Sequence, residues 1–217
     1  MKYDAVIFDL DGTLIDSMWV WEQIDIDFLQ NKGHKIDDEV IKKIEGAGFT
    51  ETAIFFKEYF NLEMSVDQIK QTWCEMAIKL YTDKVQMKPG ALEFLQYLHA
   101  NKIKMAIATS NSREITEAIL QKHEIEKYFE TVVTSCEVEK GKPHPYVYLK
   151  TSEILDVEPG RCLVFEDIPN GIIAAKNAGM TVFGIEDVQY ENVKIRAKEL
   201  SDRWVADYYE VLEIFKE

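Results

Sequence analysis

The sequence predicts an α/β protein: a doubly wound, mostly parallel, Rossmann-like sheet interrupted once by an all-helical insert. Three observations carry that expectation. Short apolar runs without polar alternation recur along the chain, as strands buried on both faces of a parallel sheet require. Segments of helical period lie between these runs. From residue 16 to residue 87 the strand pattern stops while the helical pattern continues.

The first run, Ala5-Val6-Ile7-Phe8, ends abruptly at Asp9-Leu10-Asp11-Gly12-Thr13. Similar runs follow at Met105–Ala108, Thr131–Val133, Leu163–Phe165 and Thr181–Ile185. One helix is expected to start at Pro89, with Leu92, Leu95 and Leu98 on one face and Asn101 as its stop. Another opens with Asn111 and Glu114 in capping-box spacing and carries Ile115, Ala118 and Ile119. A third follows Asn170 and ends at Gly179, placed as a C′ glycine.

Within the insert, Trp21, Ile24 and Phe28 form one stripe that stops at Asn31-Lys32-Gly33. Ser65 and Gln68 make a capping-box pair ahead of Ile69, Trp73, Met76 and Leu80. Gly46 and Gly48 mark a bend between helices. The domain division that results is a core of residues 1–15 and 88–217 with a helical cap of residues 16–87. An insert after the first strand lies above the carboxyl ends of the strands, where doubly wound sheets bind ligands.

Composition narrows the function classes. With 39 acidic against 25 basic residues the net charge is −14, which speaks against a nucleic-acid partner because backbone binding needs a concentrated basic face. Three widely spaced cysteines without CxxC spacing suggest neither a disulfide framework nor a zinc site. No apolar stretch approaches the roughly 18 residues of a membrane span. Met1-Lys2-Tyr3-Asp4 runs straight into a strand, leaving no room for a signal peptide, so a cytoplasmic monomer with no membrane partner is expected.

Four clusters sit at or beyond the carboxyl ends of strands: Asp9/Asp11, Thr109/Ser110, Lys142 and Glu166/Asp167. In a parallel sheet these ends share one edge, so the clusters converge. Singly, each has an ordinary role: turn formers, a helix cap, a solvated lysine, surface charge. Together they suit metal-assisted phosphoryl transfer. One carboxylate of Asp9/Asp11 can attack phosphorus while the other protonates the leaving oxygen and later takes a proton from water. Clustered carboxylates repel unless a cation is present, and an all-oxygen site favours a hard ion such as Mg²⁺. Lys142 would steady the nucleophile and phosphate oxygens, and Thr109 with the amides of Ser110 and Asn111 would hold the phosphoryl group.

Asp9-Leu10-Asp11-Gly12-Thr13-Leu14 resembles the DxDGT/V signature of the haloacid-dehalogenase (HAD) superfamily. Thr109 is similar to its second motif, Lys142 in Gly141-Lys142-Pro143 to the third, and Phe165-Glu166-Asp167 with Asn170-Gly171 to the fourth. The helical cap after the first motif resembles the β-phosphoglucomutase-like branch. The resemblance implies an aspartyl phosphate on Asp9. It also implies Mg²⁺ held by the Asp9 carboxylate, the Asp11 backbone carbonyl and Asp167, with Glu166 just behind.

Asp11 argues against a haloalkanoate dehalogenase, which needs no acid for its leaving group. A Schiff-base lysine for phosphonate cleavage is missing from Glu45-Gly46-Ala47-Gly48-Phe49. Where the mutase branch carries a histidine and an arginine, this chain has Trp21 and Phe49. The expectation is therefore a phosphatase of a small phosphorylated metabolite. A sugar-phosphate mutase is the alternative, and a non-catalytic binding module is the more distant one. Trp21 and Phe49, with Trp19, are candidates for an aromatic wall that sets specificity. Packing within the cap is the competing role. Arg113, His34, His99, His123 and His144 are read as surface or loop residues.

Overall fold

The computed structural model describes residues 2–37, 40, 43, 44, 49–187 and 191–216. Along the chain run β1 (Ala5–Phe8), β2 (Ile15–Asp16), α1 (Val20–Asn31), α2 (Phe49–Tyr59), α3 (Val66–Asp83), β3 (Gln86–Met87), α4 (Ala91–Ala100) and β4 (Lys104–Thr109). There follow α5 (Arg113–Lys122), β5 (Thr131–Thr134), α6 (Tyr146–Leu155), β6 (Cys162–Glu166), α7 (Pro169–Asn177), β7 (Thr181–Ile185), α8 (Glu191–Leu200), β8 (Arg203–Val205) and α9 (Tyr208–Lys216). The chain divides into two compact units, Met1–Met18 with Val85–Glu217, and Trp19–Lys84. None of the described helices is long and apolar enough to cross a membrane.

The first unit holds a six-stranded sheet in the order β5-β4-β1-β6-β7-β8, every pairing parallel. This is the expected doubly wound arrangement. β1 is central, with Phe8 in register with Ile107 on one side and Phe165 on the other. Alternate side chains of such a strand face opposite helical layers, so the absence of polar alternation follows directly. Ala5 and Ile7 join Ala106, Val164, Val147 and Ile172 in one core. Phe8 faces the other way, stacked on Phe165 at 5.4 Å and edge-on to Phe94 at 6.1 Å. Phe94 in turn stacks on Tyr208 of α9 at 5.5 Å, closing the second layer.

Local signals translate with shifts. Gly179 (φ +81°) ends α7 as expected, its N–H donating to Lys176 O. That helix begins at Pro169, whose missing N–H is harmless at a first helical position. Ser112, not Asn111, caps α5 by accepting from Ile115 N at 3.2 Å. Asn111 is drawn instead into a turn closed by Thr109. On α4 the inward face is Ala91, Phe94, Leu95 and Leu98. Leu92 is exposed and lies outside that face. The stretch 16–87 also proves not to be strand-free: Ile15–Asp16 and Gln86–Met87 pair antiparallel where the chain passes between units. Two residues are too few for any strand pattern to show.

In the second unit Ser65 and Gln68 form the predicted capping box of α3. The buried face of that helix is Ile69, Trp73, Ala77 and Tyr81, so Met76 and Leu80 lie beside the stripe rather than in it. α1 ends at Asn31, with Gly33 at φ +80° just beyond. Its buried stripe begins at Val20; Trp21 stands outside it, 37% exposed. Phe28 packs edge-on to Trp73 at 5.7 Å, which makes Trp73 core. The predicted bend at Gly46 and Gly48 lies outside the described residues.

Candidate active site

β1 continues its ladder for one residue past Phe8, since Asp9 N donates to Phe165 O at 3.0 Å. That bond sets the Asp9 side chain at the carboxyl edge of the central strand, where it is 7% exposed. The chain then turns sharply. Leu14 N and Ile15 N both donate to Leu10 O, and Gly12 N donates to Ile15 O. Gly12 (φ +72°) is required twice over. Its conformation is left-handed, and a Cβ there would lie 2.4 Å from Asp167 Oδ2 and 2.6 Å from Asp187 Oδ2. Thr13 completes the turn by donating to Asp167 Oδ1 at 2.8 Å, so the loop after β1 directly holds the acid after β6.

The Asp11 carboxylate accepts from Ser17 Oγ at 2.6 Å and from Asn111 Nδ2 at 2.9 Å. Thr109, the last residue of β4 and buried, accepts the Asn111 N–H at 3.0 Å. Ser110 is exposed beside it, and Ser135 Oγ donates to its hydroxyl at 3.4 Å.

Lys142 reaches in from the loop before α6. Its Nζ donates to Asp9 Oδ1 at 2.5 Å and to Glu166 Oε1 at 2.6 Å. Glu166, with no exposed surface, is held on three further sides. Tyr148 Oη donates to it at 2.6 Å and Asp167 N at 3.1 Å. Gly171 lies so close that a Cβ there would sit 1.8 Å from Glu166 Oε1.

Carboxylate oxygens of Asp9, Glu166 and Asp167 lie within 4.8 Å of one another, all three residues buried. Burial pushes Asp9 up to about 7, and Glu166 and Asp11 push the same way against the opposing pull of Lys142. Asp167 is held well above the usual carboxylate range by burial first, then by Glu166 and Asp9, while the Thr13 hydroxyl opposes. Burial alone would lower Lys142, but Asp9 and Glu166 outweigh it and raise the ammonium above its ordinary value. Tyr148 is raised by burial and then by Glu166, so it remains a phenol able to donate.

Three acids thus face one fixed ammonium. The surplus is of the sign and donor type that suits a hard divalent cation with oxygen ligands. Asp9, Glu166 and Asp167 supply side-chain oxygens for one.

Every core residue singled out in the sequence meets at this edge: Asp9, Asp11, Thr109, Ser110, Asn111, Lys142, Glu166 and Asp167. Trp21 and Phe49 lie in the helical unit, where their rings meet edge-on at 5.5 Å. Arg113 is occupied at the surface by Glu137 and Glu117. Ser17, Tyr148, Lys88 and Asp187 were missed. Lys88 Nζ donates to Asp187 Oδ1 at 2.7 Å, with side-chain exposures of 9% and 1%. Asp187 could have been found, because it follows β7 as Asp167 follows β6.

Residues 6–185 match the family described as haloacid dehalogenase-like hydrolase. Among curated proteins, the chain is 30% identical over 84% of its length to the phosphorylated carbohydrates phosphatase of Thermotoga maritima, covering 85% of that protein. It is 27% identical to the fructose-1-phosphate phosphatase YqaB of Escherichia coli, over 82% of this chain and 94% of that one. Among solved structures, a candidate β-phosphoglucomutase from Thermotoga maritima superposes with a TM-score of 0.85 at 28% identity, covering 98% of both chains.

Proposed function

The chain belongs to the haloacid dehalogenase-like hydrolases, and we propose that it is a Mg²⁺-dependent phosphatase of small phosphorylated metabolites, working through an aspartyl phosphate on Asp9. One observation carries this reading: Lys142 is clamped between Asp9 and Glu166 by charge-assisted bonds of 2.5 and 2.6 Å, with Asp167 alongside. A lysine so held orients a carboxylate for attack and presents positive charge to phosphoryl oxygens.

Asp9 attacks phosphorus and forms the acyl phosphate. Asp11, oriented by Ser17 and Asn111, gives a proton to the leaving oxygen and then takes one from the water that hydrolyses the intermediate. The Thr109 hydroxyl and the Ser110 amide bind the phosphoryl oxygens; the Asn111 N–H, expected to join them, is taken by Thr109 Oγ1 instead. Mg²⁺, held by the Asp9 carboxylate, the Asp11 carbonyl and Asp167, would offset the charge of the phosphate and carboxylates. Glu166 acts from behind through Lys142.

The substrate class follows the names of the relatives, which include phosphatases of phosphorylated carbohydrates and of fructose 1-phosphate. The likeness to a candidate β-phosphoglucomutase favours a sugar-phosphate mutase as the second reading. Trp21 and Phe49, standing where that branch has a histidine and an arginine, favour the phosphatase. Residues 16–87 are read as the cap and Trp21 and Phe49 as its specificity residues; the protein is read as a cytoplasmic monomer.

The test is turnover of p-nitrophenyl phosphate with Mg²⁺ by wild type and Asp9→Asn. The expected result is phosphate release by the wild type and essentially none by a folded Asp9→Asn variant. Retention of more than a few per cent of the rate would remove the covalent mechanism, and interconversion of sugar monophosphates without net phosphate release would favour the mutase.

A further inference from the structure

Asp187 and Lys88 lie outside every motif that points to the catalytic groups, yet they form a buried ion pair at the same sheet edge. Asp187 follows β7, the strand next to β6, and is 6% exposed. Its Oδ1 accepts from Lys88 Nζ at 2.7 Å. Its Oδ2 turns to Gly12, where it and Asp167 Oδ2 crowd one point, 2.6 and 2.4 Å from the position a Cβ would take. Two carboxylate oxygens therefore face each other across the one residue type that leaves room for both.

Lys88 is fixed as firmly. Its N–H donates to Leu14 O at 3.0 Å, immediately after the pairing of β3 with β2, and its Nζ also donates to Glu186 O at 3.1 Å. A buried lysine–aspartate pair contributes little net stability against well-packed apolar residues, so its presence here calls for a use.

We infer that Asp187, held by Lys88, is a positioning residue for the divalent cation, adding a carboxylate behind Asp167 that strengthens the cation's binding. The inference rests on the metal-dependent reading above. Groups just behind the direct ligands orient them, and their loss costs about 10–100-fold in metal affinity. Lys88 sets the carboxylate's position through Oδ1, with Oδ2 turned toward Gly12 and the Asp167 side.

Calorimetric titration of Mg²⁺ into the wild type and Asp187→Asn, without substrate, tests this. The expected result is affinity weakened about ten-fold or more in the variant, with the Mg²⁺ concentration for half-maximal turnover shifted by the same factor. Lys88→Met/Asp187→Asn, which leaves no lone buried charge, should bind as weakly, and it serves if the single variant does not fold. A metal-free melting temperature that falls while Mg²⁺ affinity stays within about two-fold of wild type would assign the pair to the scaffold and overturn the inference. If the wild type itself binds no Mg²⁺, the metal-dependent reading fails and takes this inference with it.

Discussion

Replacing Gly171 by alanine looks harmless from sequence, since it puts a good helix former into α7 and should gain about 1 kcal/mol in propensity. The structure predicts the opposite. The added Cβ would lie 1.8 Å from Glu166 Oε1, 2.0 Å from Cδ and 2.3 Å from Oε2. Such a clash costs little when the far end of a loose side chain can swing aside. Glu166 cannot, because Lys142, Tyr148 and the Asp167 N–H all hold that carboxylate and it has no exposed surface. Moving it breaks a buried charged pair, at about 3–5 kcal/mol. Set against the helical gain, a net loss of about 2–4 kcal/mol remains. For a chain of this size that is a fall in melting temperature of about 5–15 °C. Turnover should drop at least about ten-fold, since Lys142 loses one of its two anchors. Thermal melting and p-nitrophenyl phosphate turnover of the purified variant give both numbers. A melting temperature at or above wild type with an unchanged rate would refute the argument that Glu166 is pinned.

Asp11→Asn should lose far more activity on an alkyl phosphate than on p-nitrophenyl phosphate, whose leaving group needs little protonation; equal losses would argue against the acid role. Asp25 in α1 is pushed up to about 7 by burial and then by Glu22. Its folded pKa lies above the unfolded value, so the folded state holds the extra proton between about pH 4 and 7 and stability falls as pH rises through that window. Asp25→Asn should therefore raise the melting temperature more at pH 8 than at pH 5, and an equal rise at both would contradict the shift. Phe49 touches Trp73 at 5.5 Å as well as Trp21, so Phe49→Ala should lower the melting temperature more than Trp21→Ala. Both should reorder a panel of phosphorylated substrates, and an unaltered ranking would sink the aromatic wall.

The sheet was legible wherever burial on both faces forced an unbroken apolar run, as at Ala5–Phe8 and Leu163–Phe165. β8 escaped because Arg203 is exposed and Trp204 half-buried, so no apolar run forms. The convergence of the carboxylates was legible because several polar clusters, each straight after a buried strand, must meet on one sheet edge. Their supports were not. Tyr148 lies on α6, where a tyrosine among apolar residues reads as core, and nothing local says that its hydroxyl meets Glu166. Lys88 and Asp187 are 99 residues apart, and only the fold brings them together. Trp21 misled as a member of the α1 stripe, since Val20 and Trp21 both keep helical spacing to Ile24 and Phe28 and only the fold shows Val20 buried and Trp21 exposed.

The strand order has a consequence for how the molecule would fail. β1 sits between β4 and β6, whereas β5, which precedes the Lys142 loop, lies at one edge of the sheet. Edge strands open first, and their amides exchange with solvent long before those of a central strand. On warming, the Lys142 loop would loosen while the ladder carrying Asp9 remained closed. Lys142 and Asp9 would part company in a chain still folded by most spectroscopic measures. Heat inactivation should then precede the main melting transition, with hydrogen exchange rising at Thr131–Thr134 before it rises at Ala5–Phe8.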